Sequence, residues 1–337
     1  MTSESRQSLA FLLCVEAGPL EQQAILLARS IRRWAGAYAD APIHAFRLRA
    51  GPPLGPVTYD ALRELGVTVH EEVLNRDHHD YVHANTTYAM VWAEDHLDAD
   101  VIVWADSDKV FLSEPADFDL PSDMLAAGTT PYYRGRATGP KSAGPGDPFD
   151  PYWERLYELA GVTEEPYVTA LIDGRRLRAF WNGGLIVFRR EARLAHEWLE
   201  LLTRLLEDHV PASGILNVDQ LSLAAVLARR PDAVRELDRR YNHNLALRAL
   251  LPEPERSLEL ADLVSVHYHS WFNRERFLED LRPPLAPDGD RYRWLLQYLP
   301  LEPTNDNPLP TPRRRRPLAR RARRRWRRLR RRMRRTG

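Results

Sequence analysis

Two uninterrupted apolar runs constrain this chain most: residues 9–15 (LAFLLCV) and residues 101–105 (VIVWA). A short run with no polar break reads as a strand covered on both faces, as in parallel sheets lined by helices. The chain between them alternates. Leu20, Ala24, Leu27, Ile31 and Trp34 fall at helical spacing within residues 20–34. Strands are expected at 43–48 and 67–70, with a Pro/Gly-rich turn at 51–56 and a short helix at 59–65. Asn85-Thr86-Thr87 is expected to cap a helix reaching about His96. Further along, residues 185–188 read as a strand, 191–206 as a helix, 218–229 as a helix capped by Asn217, and 264–267 as a late strand. This order predicts an α/β fold with a mainly parallel sheet flanked by helices. Residues 128–151, rich in Gly and Pro, read as one long loop.

Composition narrows the classes. At 337 residues and 44% apolar the chain can bury a large core. It holds no apolar run long enough for a spanning helix, and its polar first residues do not read as a signal peptide. Cys14 is the single cysteine, which excludes an internal disulfide and a thiolate zinc site. The expected location is cytoplasmic, with peripheral attachment to the inner face of the cell membrane. The formal net charge of +1 conceals an asymmetry: sixteen arginines and no acid lie in residues 313–335, which leaves −15 for the rest of the chain. The expected organisation is one domain over residues 1–299, a Pro-rich linker over 300–312 and an arginine-rich, basic helical tail over 313–337.

Four short motifs carry chemistry. Asp106-Ser107-Asp108 directly follows the second apolar run. Strand alternation continued past the strand end would present both carboxylates together, at the sheet edge where open α/β folds bind ligands. Paired carboxylates suit Mg²⁺ or Mn²⁺ and, through the ion, a phosphate. Acidic pairs are also common at turns, so the buried strand before them is what favours the site. Trp181-Asn182-Gly183-Gly184 leads into a strand, combining room for close approach with an amide suited to sugar hydroxyls. Asn217-Val218-Asp219-Gln220 opens a helix, where Asp219 equally suits the helix N-terminus. His267 and His269, two apart after the late strand, would share a face and offer imidazole to a metal.

The series VIVWADSD, FWNGGLIVF, LNVDQLSLA and LVSVHYHSW, in that order, resembles nucleotide-sugar glycosyltransferases of the GT-A type, especially family 8, across roughly residues 8–275. The resemblance implies a GT-A-like (Rossmann-like) fold and a manganese or magnesium ion held by Asp106, Asp108 and His267, with His269 as the competing ligand. It also implies donor contacts at Glu16, Ala17, Asn85, Ser107, Asn182 and Gly183, and catalytic roles for Asp219 and Gln220 near the anomeric carbon. The family's late motif often continues with Gly and Lys-Pro-Trp, where this chain reads YHSWFNRERF. The helix before the DxD strand carries no Lys or Arg near the phosphates; it reads HANTTYAM.

The function expected is transfer of a sugar from a nucleotide-diphosphate donor to a glycan, lipid-linked or other envelope acceptor. In the tail, Leu318, Ala322, Trp326, Leu329 and Met333 would form one apolar stripe if helical. That pattern suits an anionic membrane surface, a disordered solvated tail is the plain alternative, and nucleic acid is the weaker candidate partner. The rival reading is a non-catalytic protein of the same fold that binds membrane or nucleic acid through this tail. Nucleotidyl transfer ranks last, because no Gly-rich basic loop for a triphosphate is evident.

Overall fold

The computed structural model describes residues 6–132, 141–207 and 217–302. Among them, seven strands form the main sheet. The first half follows the alternation read from the sequence: β1 (Leu9–Cys14), α1 (Pro19–Trp34), β2 (Ile43–Phe46), α2 (Pro56–Glu64), β3 (Val67–His70), α3 (Ala84–His96) and β4 (Val101–Ala105). Next come β5 (Lys109–Phe111), β6 (Ala126–Gly128), α4 (Asp150–Ala160) and a small hairpin of β7 (Tyr167–Thr169) and β8 (Arg176–Arg178). The rest comprises β9 (Leu185–Arg189), α5 (Leu194–Glu207), α6 (Val218–Ala228), β10 (Val234–Glu236), β11 (Ser265–His267) and α7 (Asp290–Leu296).

The sheet order is β10-β6-β9-β4-β1-β2-β3. Every strand is parallel to the others except β9, which runs antiparallel to both β4 and β6. The sheet is therefore mainly parallel, as expected, and its one reversed strand positions the site. A parallel strand brings only its C-terminal end to the ligand edge. Because β9 is reversed, its lead-in Asn182-Gly183-Gly184 arrives there too, with Leu185 opposite Ala105 at the end of β4.

Burial explains the apolar runs. Leu9, Phe11 and Leu13 of β1 join Val101, Val103, Leu185 and Val187 on the face covered by α1. Leu12, Ile102, Trp104, Ile186 and Phe188 pack on the other face with α3, α5 and α6. A third apolar cluster joins Val110 and Leu112 of the β5 region to Val266, Tyr268, Phe272 and Leu295. β11 pairs antiparallel with β5 in a separate two-stranded sheet, so the late strand lies outside the main sheet and returns the chain to the turn after β4.

Several local expectations change. Asn85 lies inside the first turn of α3, which has no side-chain cap. Asn217 precedes α6 in a left-handed conformation (φ 71°), again without a side-chain cap. In both cases the amide is not needed: the helix N-termini pack within the core and bond locally through backbone, as when the Asn217 carbonyl accepts from Gln220 and Leu221. The stretch 128–151 is not one loop, since Gly128 ends β6 and Asp150 opens α4; residues 133–140 lie outside the described residues. The linker beyond Glu302 and the arginine tail also lie outside them. No described helix is long and apolar enough to cross a membrane.

Candidate active site

The Asp-Ser-Asp segment is a turn rather than a continuation of β4. The Lys109 amide donates to the Asp106 carbonyl at 3.1 Å, while the Asp106 amide donates to the Gly184 carbonyl at 2.9 Å. Ser107 Oγ donates to the Cys14 carbonyl at the end of β1. The Tyr268 amide donates to the Asp108 carbonyl at 3.0 Å. The turn is thus fastened to three neighbouring segments. Within it the two carboxylates take different partners. Asp106 Oδ1 accepts from Trp104 Nε1 at 2.8 Å. Asp108 faces the histidines: Oδ1 lies 3.0 Å from His267 Nε2, and Oδ2 lies 3.6 Å from His269 Nδ1. Among the described residues, Asp108, His267 and His269 bring possible ligand atoms within 4.8 Å of one another.

Gly184 is the hinge of this arrangement. A Cβ there would sit 2.7 Å from Asp106 Oδ2, 2.9 Å from His267 Cε1 and 3.0 Å from Asn182 Oδ1, so these three side chains surround one Cα. A Cβ on Gly183 would meet Gln220 Cγ at 3.0 Å. The two glycines therefore admit the functional groups to one another. Trp181 is buried and packs over Gly128, so its ring belongs to the core.

Asp219, at the start of α6, is buried, and its Oδ1 accepts from Tyr81 Oη at 2.6 Å; Tyr81 Oη in turn accepts from the Asp219 amide at 3.1 Å. Glu16 is engaged by the Arg49 guanidinium, from Nε at 2.9 Å and from a terminal nitrogen at 2.5 Å, and accepts from Asn85 Nδ2 at 3.2 Å. Glu16, Asn85 and Ser107 gather at the C-terminal end of β1, with half-buried Ala17 next in the chain.

Electrostatics tie the centre together. Lys109 is fully buried and donates to Asn242 Oδ1. Burial pushes its ammonium down to about 8, with Asp106 and Asp108 holding it up against a larger fall. Burial and the Asp108 charge push the Asp106 carboxyl up to about 6. Burial opposes the charge on Asp108 as well, but His267, His269 and Lys109 outweigh it and hold that carboxyl well below the usual range. Burial, then Lys109, pushes His267 down to about 4, while the Asp108 carboxylate beside it pulls the other way. Burial raises Asp219.

Sequence reasoning missed Lys109, Asn242, Tyr81 and Arg49. Lys109 carried a signal, being one of only two lysines and adjacent to Asp108. Asn242 carried none, because it meets Lys109 across 133 residues of chain.

Fold and centre together define an α/β protein whose reactive groups collect at the C-terminal edge of a mainly parallel sheet. The chain belongs to the Rhodobacterales glycosyltransferase domain family, whose model matches residues 11–230. No curated protein matches it in sequence. Solved structures similar to it include the bifunctional glycosyltransferase WbbM, at 12% identity and TM-score 0.48, covering 89% of this chain and 53% of that one. The glycosyltransferase GlyE of Streptococcus pneumoniae TIGR4 is similar at 12% identity and TM-score 0.49, covering 89% and 61%. The galactosyltransferase LgtC is similar at 14% identity and TM-score 0.45, covering 86% and 96%. The chain spans about half the length of WbbM.

Proposed function

We propose that the chain is a metal-dependent glycosyltransferase that moves a sugar from a nucleotide-diphosphate donor to a carbohydrate, lipid-linked or other envelope acceptor. One observation carries this reading: Asp108 Oδ1 lies 3.0 Å from His267 Nε2 and Asp108 Oδ2 lies 3.6 Å from His269 Nδ1, so a carboxylate and two imidazoles bring possible ligand atoms together. A carboxylate and an imidazole nitrogen at this distance share a cation, either a proton or a metal ion. His267 Nδ1 faces the Asn242 oxygen, so a proton on Nε2 would be the ring's second, and burial disfavours that charge. The mixed carboxylate and imidazole set suits Mn²⁺, or Mg²⁺ with more water in its shell. Asp106, Asp108 and His267 would hold the ion, with His269 as the competing ligand. When bound, it supplies Lewis-acid stabilisation to a departing diphosphate.

The chain's own residues then divide the remaining work. Glu16, Ala17, Asn85 and Ser107 line the nucleotide side, at the end of β1. Asn182 offers its amide to sugar hydroxyls, and Gly183 leaves space for the ring. Asp219 and Gln220 supply oxygen to the positive charge that develops on the sugar as its bond to phosphate breaks. Tyr81, bonded to Asp219 through both its lone pair and its proton, keeps that carboxylate from rotating away.

A melting-temperature panel of nucleotide sugars tests this, with and without Mn²⁺, on the native chain and on the Asp106→Ala/Asp108→Ala variant. A donor at a hundredfold excess over its Kd stabilises the native state by about 2.7 kcal/mol. For a chain of this size that is a rise of several degrees. The expected result is a rise with one donor, dependent on Mn²⁺ and lost in the variant. An equal rise in the variant, or none with any donor in Mn²⁺, would overturn the reading.

A further inference from the structure

Two asparagines, Asn242 and Asn244, stand behind the two histidines, and they present opposite chemistry to them. The segment carrying them runs alongside β11: the His243 amide donates to the Ser265 carbonyl at 2.8 Å, and the His267 amide donates to the His243 carbonyl at 2.9 Å. Asn242 thereby meets His267, and Asn244 meets His269.

The amide orientations follow from their other partners. An ammonium only donates, so the Asn242 atom facing Lys109 Nζ is the oxygen. Its Nδ2 then donates to Thr129 Oγ1 at 2.8 Å. The same oxygen lies 3.1 Å from His267 Nδ1, so that nitrogen must carry the proton. The Nε2 of His267 is left with a bare lone pair toward Asp108 Oδ1, 3.0 Å away. Asn244 is reversed. Its Oδ1 accepts from the Ala246 amide at 3.1 Å, so its Nδ2 is the group 3.1 Å from His269 Nε2. That nitrogen therefore accepts, and the proton of a neutral His269 sits on Nδ1, the atom aimed at Asp108 Oδ2. His269 also holds a left-handed backbone (φ 52°), a conformation uncommon for a residue with a side chain.

We infer that Asn242 and Asn244 are positioning residues that decide which histidine can bind a cation: Asn242 frees the His267 Nε2 lone pair for it, whereas Asn244 occupies the His269 Nε2 lone pair and leaves that ring's proton on the Nδ1 that faces Asp108. The inference deepens the metal-dependent reading and rests on it, but its first half concerns the rings alone. Asn242 is 1% exposed, so water does not compete for the bond that sets the His267 proton. The Asn242 backbone is left-handed (φ 55°), which asparagine tolerates and glycine accepts freely.

The test uses the full chain with ¹⁵N-labelled histidine. Ring nitrogen shifts are recorded without metal and assigned with His267→Gln and His269→Gln. Both rings are expected to carry their proton on Nδ1. Asn242→Asp keeps an acceptor and should preserve the His267 state. Asn242→Gly fits the backbone but removes the acceptor and should release that state. A proton on His267 Nε2 in the native chain would overturn the inference. Mn²⁺ affinity is then read from the free-ion spin-resonance signal. Loss of an outer-shell partner commonly weakens binding about 10- to 100-fold. That loss is expected for Asn242→Gly, with Asn242→Asp within a few-fold of native. His267→Gln should abolish binding, and His269→Gln should leave it within a few-fold. Native affinity in Asn242→Gly, or loss in His269→Gln with retention in His267→Gln, would overturn the assignment. If the native chain shows the stated ring protons and yet binds no Mn²⁺, the metal reading falls and the ring assignment stands.

Discussion

Gly183 and Gly184 are adjacent, and neither has a left-handed backbone, so an alanine at either position meets no left-handed strain. What an added methyl meets is different. At Gly184 it strikes Asp106, His267 and Asn182 at 3.0 Å or less; at Gly183 it meets only the middle of the flexible Gln220 side chain, at 3.0 Å. Gly184→Ala should therefore cost about 100-fold or more in turnover, since sub-ångström misplacement of reacting groups is that expensive. Gly183→Ala should cost about tenfold or less, because Gln220 can yield. Both variants should unfold within about 2 kcal/mol of the native chain, as small overpacking usually does. Steady-state kinetics and urea unfolding on the pair check this, and equal turnover in the two variants would contradict it. The two glycines were visible in the sequence as permission for close approach. What approaches them was not, because Asp106, His267 and Gln220 reach Gly183-Gly184 from three distant parts of the chain.

At the level of elements, the apolar runs were legible because a strand covered on both faces leaves no polar position to confuse the reading. The direction of β9 was not legible, since an apolar run looks the same whichever way it crosses the sheet. Nor was the departure of β11 from the main sheet, which depends on its pairing with the short β5. The β2–β3 edge shows another property hidden from pattern. His44 Nδ1 lies 2.9 Å from His70 Nε2, and His70 stacks on Phe46 with ring centroids 4.6 Å apart. Trp92 of α3 covers the group and stacks on His96 at 4.7 Å. Burial, then the neighbouring His70, pushes His44 down to about 4, and burial lowers His70 as well. In the unfolded chain both rings titrate near 6.5, so between about pH 4 and 6.5 the unfolded state binds more protons. The contribution of this pair to stability then rises with pH through that window and is lost as pH falls through it. The part carried by this half-buried pair is on the order of 1 kcal/mol after solvent screening. His44→Gln should flatten the slope of urea stability against pH over that window. An unchanged slope would place the titrating groups elsewhere.

At the scale of the whole molecule, charge is divided rather than balanced. The chain outside residues 313–335 carries a net −15 and the sixteen arginines inside them a net +16. Net charge sets an anionic membrane against the first and toward the second, which directs attachment to such a surface to the tail. Each basic residue near an anionic surface contributes about 1 kcal/mol, falling off within a Debye length. That length shrinks from about 10 Å at 0.1 M salt to about 3 Å at 1 M. Leu318, Trp326, Leu329 and Met333 add apolar groups that a purely nucleic-acid-binding run does not need. The full chain should therefore co-sediment with vesicles containing phosphatidylserine but not with neutral phosphatidylcholine vesicles, and should be released by about 0.5 M salt. A chain ending at Pro312 should lose vesicle binding while keeping its melting temperature and the proposed response to donor and Mn²⁺, because the proposed site residues lie between 16 and 269. Trp326→Ala should weaken vesicle binding and leave binding to duplex DNA nearly unchanged, separating a lipid surface from a nucleic acid as the partner of the same arginines. If the shortened chain binds vesicles as well as the full one does, the acidic body itself holds the surface, and the arginine tail has some other role.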